Sequence, residues 1–221
     1  MSVNGRAPIE AWLFDLDGTL IDSMPLHHDA WRRWFASAGL AFDEHGFFAA
    51  TAGRTNAEIL ADLFPQHSEA ERQAMADAKE AFYRDEAKQR LGLIPGAAEL
   101  LRLGQQRGMP MAVCTASPDG NIAVAYERFG IDAQVATTVS PDQGFRGKPH
   151  PDLFLEAARR LGVSAERCLV FEDAPLGVEA ARRAGMRAVA LTTTAPAQAF
   201  AAFDNLLATR ADLCAFDPNQ P

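Results

Sequence analysis

The sequence predicts an α/β fold, a doubly wound parallel sheet carrying an inserted all-helical domain. Three observations carry this. Five short apolar runs lack clean alternation, as expected of strands buried on both faces. Helical stretches alternate with four of them. One long region, from about Met24 to Leu93, has helix signals and no strand candidate.

In chain order, the first run is "AWLFD", Ala11 to Asp15, and the helical region follows it directly. Within that region "LHHDAWRRWFASAG" places Leu26, Ala30, Trp34 and Ala38 at helical spacing, with Trp31 and Phe35 beside them. The stretch "SEAERQAMADAKEAF" opens with Ser68 and, three residues on, Glu71, a capping-box pattern. Gly92 and the Pro95–Gly96 pair mark the return to the sheet. The remaining runs are "PMAVCT" (Pro110 to Thr115), "QVATTVS" (Gln134 to Ser140), "CLVFED" (Cys168 to Asp173) and "RAVALTT" (Arg187 to Thr193). The helices between them close on Gly130, Gly162 and Gly185, as helices commonly do. Strand and helix repeated in this way give a Rossmann-like sheet. The expected domains are 1–22 with 94–221, and a helical insert over 23–93. The tail after Asp212 is expected to be loose.

Composition excludes several classes. Of 221 residues, 48% are hydrophobic and 23% charged, the balance of a soluble globular chain. No apolar stretch nears the roughly 20 residues that span a bilayer. The first ten residues lack a basic segment followed by an apolar one, so no secretory signal and a cytoplasmic location are expected. The three cysteines, Cys114, Cys168 and Cys214, lack CxxC spacing and read as reduced core residues. A formal charge of −8 argues against nucleic-acid binding and suits an acidic site holding a cation.

In open α/β sheets ligands bind beyond the carboxyl ends of the strands. Four runs end in, or lead into, polar residues: Asp15 and Asp17, Thr115, Lys148, and Glu172 with Asp173. The fold would gather them at one edge. A carboxylate such as Asp15 can attack phosphorus covalently, and Asp17 could protonate the leaving oxygen and later take a proton from water. Thr115 and Lys148 could bind phosphoryl oxygens. Glu172 and Asp173 would offer oxygen ligands to Mg²⁺, and Gly18 a sharp turn that lets backbone N–H groups face a phosphate. Four carboxylates and a phosphate dianion bring together about six negative charges, so a divalent cation is needed and one carboxyl should keep a proton. Asp17 is the expected holder, since a general acid must start protonated.

Alone, each residue also has an ordinary structural reading: turn carboxylates, a helix-capping hydroxyl, a surface lysine. It is their order at successive strand ends that points to chemistry. "DLDGT", "VCTAS", "GKPHPDLF" and "VFEDAPLGVEAARRAGM" resemble, in order and spacing, the four motifs of the haloacid dehalogenase-like superfamily, over nearly the whole chain. The helical insert resembles the cap of its β-phosphoglucomutase and phosphatase branch. The resemblance implies Asp15 as nucleophile, Asp17 as general acid/base, and Thr115, Ala116 and Lys148 as phosphate-binding residues. It implies Mg²⁺ held by Asp15, Glu172, Asp173 and the backbone carbonyl of Asp17.

True dehalogenases of the superfamily lack the second aspartate, so Asp17 argues against that chemistry. Phosphonate-cleaving relatives use a cap lysine, but Lys79 and Lys88 lie on a charged helix and read as surface residues. A non-catalytic binding module would have no reason to keep every chemical residue. Specificity is expected from cap residues His27, Arg54 and Asn56, with His28 and Trp31 as weaker candidates and Trp31 also reading as core. A phosphomutase must hold a second phosphate on a basic clamp. Aligned on Gly53, the clamp positions of β-phosphoglucomutases fall on Asn56 and Ala52, whereas His27 matches a histidine that the mutases share. The reading favours a Mg²⁺-dependent phosphatase of a small phosphorylated metabolite, a sugar phosphate or phosphoglycolate-like compound, with a sugar phosphomutase as the alternative. No nucleic-acid or membrane partner is expected, and the chain is expected to be a monomer or weak dimer.

Overall fold

The structure, a computed structural model, describes residues 7–51 and 54–217. The chain divides into two compact units, Met1–Asp22 with Gly92–Pro221, and Ser23–Leu91.

The first unit is a six-stranded parallel sheet flanked by helices. Its strands are β1 (Ala11–Phe14), β4 (Met111–Cys114), β5 (Thr137–Val139), β6 (Cys168–Glu172), β7 (Arg187–Leu191) and β8 (Leu206–Arg210), in the order β5-β4-β1-β6-β7-β8. Strand β1 lies in the middle, pairing Trp12 with Met111 on one side and Phe14 with Phe171 on the other. All four of its residues are fully buried, which is why the run is apolar without alternation. A two-residue pair, β2 (Ile21–Asp22) with β3 (Gly92–Leu93), is antiparallel. Gly92 and Leu93, expected on the helical side, thus lie with the sheet unit.

The helices of this unit are α5 (Ala97–Gln106), α6 (Asp119–Phe129), α7 (Asp152–Leu161) and α8 (Pro175–Arg183). Helix α7 buries Leu153, Phe154, Ala157 and Ala158, one apolar stripe, and ends at left-handed Gly162. These residues join Leu13, Ala112 and Val170 in the main core.

Two expectations change here. Strand β8 carries no strong sequence signal, because its edge position leaves "LLATR" only partly buried. The tail is not loose up to Phe216. Leu213 and Phe216 are buried, and the Phe216 ring meets Phe171 and Trp12 edge-on at 5.0 and 6.1 Å. Burying such a ring stabilises by roughly 1.5–3 kcal/mol, enough to tie down a short tail. Residues 218–221 lie outside the described residues. Cys114 and Cys168 are buried as expected, whereas Cys214 is exposed; all three are free thiols.

Among the described residues the second unit has four helices: α1 (Met24–Ser37), α2 (Glu44–Thr51), α3 (Asn56–Leu63) and α4 (Glu69–Arg90). Capping boxes start α3 at Thr55/Glu58 and α4 at Ser68/Glu71. Trp31, Trp34 and Phe35 of α1 pack with Ile59, Leu60 and Ala76, so Trp31 is a core residue of this unit. No helix among the described residues is long and apolar enough to cross a membrane.

Candidate active site

The parallel sheet brings its strand ends to one edge, and the expected residues meet there. Lys148 Nζ donates to a carboxylate oxygen of Asp15, just beyond β1, and to one of Glu172, the last residue of β6. All three side chains are nearly buried, at 9%, 10% and 1% exposure. Burial works against the ammonium of Lys148, but the two carboxylates outweigh it and raise its pKa.

The acids are crowded in the opposite sense. Burial raises Asp15 well above the usual carboxylate range; Lys148 opposes this, while Glu172, Asp173 and Asp17 add to it. Burial, then Glu172, pushes Asp173 up to about 7, against the pull of Thr194 and Lys148. Upward pressure thus acts on Asp15 and Asp173, two carboxyls for which sequence reasoning had not expected it. The reason is tertiary: the fold buries both.

Asp15, Glu172 and Asp173 each offer a carboxylate oxygen, all within 4.8 Å of one another. An all-oxygen, multiply charged donor set suits a hard divalent ion such as Mg²⁺. Its supports were not foreseen. Thr19 Oγ1 donates to Asp173 at 3.2 Å. Glu172 accepts from the backbone N–H groups of Asp173 and Ala174, both at 3.1 Å. Two glycines make room: a Cβ at Gly18, whose φ is +79°, would stand 2.1 Å from Asp173 Oδ2, and one at Gly177 would stand 1.9 Å from the Glu172 carboxyl. Gly18 was legible from its turn. Gly177 carried no local signal, since it sits in the first turns of α8.

Thr115 follows β4, buried, and its hydroxyl accepts the backbone N–H of Ser117 at 3.0 Å. Ser117, absent from the expected set though it lies within "VCTAS", donates its own hydroxyl to Asp17. Ala116 is exposed on the same loop.

The residues expected to set specificity lie in the helical unit. His27 is half-buried, its ring stacked on Tyr83 at 4.0 Å. Lys79, expected at the surface, is 2% exposed: Nζ lies 2.7 Å from His27 Nδ1 and 2.9 Å from Glu80. Lys88 is exposed, as expected. Asn56 donates its amide to Glu80, and Arg54 is tied to Asp62 at 2.6 Å and to the Glu58 carbonyl at 3.2 Å. His28 is half-buried. Ala52 and Gly53, used to align the clamp positions, lie outside the described residues.

Comparison with known proteins decides the family. The model of the haloacid dehalogenase-like hydrolases matches residues 9–185. The chain belongs to the haloacid dehalogenase-like hydrolase family. It is 38% identical over 198 residues to the validoxylamine A 7'-phosphate phosphatase of Streptomyces hygroscopicus subsp. limoneus, covering 88% of this chain and 91% of the relative. It is 34% identical to hexitol phosphatase A of Escherichia coli, with 84% of each chain covered. A haloacid dehalogenase hydrolase of family IA from Entamoeba histolytica superposes with a TM-score of 0.87 at 27% identity, covering 96% of this chain and 97% of that one. Within the family the chain falls in the branch of sugar phosphatases and β-phosphoglucomutases, and it is a hydrolase of that branch.

Proposed function

We propose that this chain is a Mg²⁺-dependent phosphatase of a small phosphorylated carbohydrate that works through an aspartyl-phosphate on Asp15. The observation that carries the reading is the meeting of Asp15, Lys148, Glu172 and Asp173 at one sheet edge, with Thr115 and Asp17 on the flanking loops.

In the first step an Asp15 carboxylate oxygen bonds to phosphorus as the ester P–O bond breaks, and Asp17 gives its proton to the departing oxygen. In the second, water attacks the same phosphorus and gives a proton to Asp17. Phosphate leaves, and the Asp15 carboxylate is restored. Thr115 and Lys148 hold phosphoryl oxygens throughout. Asp15, Glu172 and Asp173 would hold the metal, which when bound supplies positive charge that neutralises and polarises the phosphoryl group.

Water rather than a second sugar is the acceptor in this reading, and the helical unit supports that. A mutase clamp needs a cation able to grip phosphate. Here Arg54 is engaged with Asp62, and Asn56 replaces a charged clamp by an amide turned to Glu80. Losing a charge-assisted bond to phosphate weakens retention by about 1.5–3 kcal/mol, tenfold or more. The names of the relatives, which hydrolyse phosphates of validoxylamine A and hexitols, support a polyhydroxylated leaving group.

The test is a screen of hexitol phosphates, hexose phosphates and phosphoglycolate for released phosphate, beside an assay converting β-glucose 1-phosphate to glucose 6-phosphate. Phosphate release that stops in EDTA, returns with Mg²⁺ and vanishes in Asp15→Asn is expected. Efficient isomerisation without phosphate release, or wild-type turnover by Asp15→Asn, would overturn the reading.

A further inference from the structure

We propose that Ser117 is a positioning residue that aims the Asp17 carboxyl at the departing oxygen of the substrate. The inference rests on the reading of Asp15 and Asp17 given above and adds to it a residue that touches neither phosphorus nor metal.

Three observations carry it. Ser117 is 8% exposed, and its hydroxyl donates to Asp17 across 100 residues of sequence. A hydroxyl with one proton spends it on that one acceptor, so the bond fixes which oxygen of Asp17 faces the loop after β4. The Ser117 backbone N–H is held in turn by Thr115 Oγ1 at 3.0 Å. Accepting this bond leaves the Thr115 proton free to donate to a phosphoryl oxygen. One two-residue turn thus ties the group proposed to bind the phosphoryl oxygens to the group proposed to move the proton.

Asp17 needs such a hold. It follows β1 by three residues, beside the left-handed Gly18, on a half-buried loop position where a hydrogen bond from the neighbouring loop helps to set its orientation. A general acid works only within hydrogen-bond reach of the atom it protonates, and a misplacement of about 1 Å is enough to lower a rate by about a hundredfold. In Ser117→Ala the turn to Thr115 survives, because it uses the backbone N–H. What is lost is the hydroxyl that donates to Asp17.

The prediction separates proton delivery from everything else. An alkyl phosphate needs its departing oxygen protonated, whereas p-nitrophenolate leaves without a proton. For a hexitol phosphate, Ser117→Ala should lower kcat/KM by about tenfold, the size of a lost hydrogen bond to a charged group. For p-nitrophenyl phosphate the loss in kcat/KM should stay under about twofold. Ser117→Thr, which keeps the hydroxyl, should restore most of the alkyl phosphate activity. The experiment measures kcat and KM for both substrates in wild type, Ser117→Ala, Ser117→Thr and Asp15→Asn, with Mg²⁺ present. Equal losses for the two substrates in Ser117→Ala, or no loss for either, overturn the assignment while an inactive Asp15→Asn leaves the phosphatase reading standing. An Asp15→Asn that turns over substrate normally overturns both.

Discussion

Lys148 holds two buried carboxylates together, and its replacement by methionine gives a stability effect whose size and pH dependence can be worked out. Its ammonium pairs with Asp15 and Glu172, and none of the three side chains is more than 10% exposed. Removing one partner of a buried pair leaves uncompensated charge and typically costs about 3–5 kcal/mol. The carboxyls can escape by taking protons. Holding a carboxyl protonated when its unfolded value is about 4 costs about 1.4 kcal/mol per pH unit above that value. At pH 8 the escape would cost about 5.4 kcal/mol per carboxyl, so the unpaired charge sets the loss. At pH 5 it costs only about 1.4 kcal/mol per carboxyl, so proton uptake sets it. The folded variant then binds more protons than its unfolded chain, so its stability falls as pH rises. In EDTA, Lys148→Met should unfold with a deficit of about 3–5 kcal/mol at pH 8, shrinking to about 1.5–3 kcal/mol at pH 5. For a chain of this size the deficit at pH 8 corresponds to a Tm drop of at least about 6 °C. Urea and thermal unfolding of both proteins at the two pH values provide the measurement. A variant as stable as wild type at pH 8, or a deficit that grows on acidification, would refute the reasoning.

Two further outcomes follow from the packing. Gly177→Ala places a methyl 1.9 Å from the Glu172 carboxyl, so that carboxyl must shift from the position in which it accepts from two backbone N–H groups; a loss of about 1–3 kcal/mol and Mg²⁺ binding weakened about tenfold by calorimetry are expected, and unchanged metal affinity would contradict the placement of Glu172. Lys79→Met removes the ammonium that pairs with the buried Glu80 carboxylate at 2.9 Å, so the helical unit should lose stability near neutral pH, by up to about 3–5 kcal/mol; a variant as stable as wild type by urea unfolding at pH 8 would show that the pair does not stabilise the unit.

Much of this protein is written locally. Strands buried on both faces must be continuously apolar, so β1, β4, β6 and β7 were legible from "AWLF", "MAVC", "CLVFE" and "RAVAL". Helix ends were legible where capping needs a particular residue, as at Ser68 and Gly162. The residues that meet at the sheet edge were legible because the carboxyl ends of parallel strands point one way, which turns order along the chain into a shared location. Edge strand β8 and the buried Phe216 were not, since half-buried edges and short tails leave no period to read.

What only the tertiary structure decided is which charged and polar groups face each other. Lys148 finds Asp15 across 133 residues, and Ser117 finds Asp17 across 100. Lys79 looks like any other charge on α4 until His27, 52 residues earlier, is placed against it. Spacing along one element fixes which side of it a residue lies on, but not what the fold brings to that side. Burial and pairing depend on that second fact: burial presses the carboxyls of Asp15 and Asp173 upward, and Lys148 pulls against it.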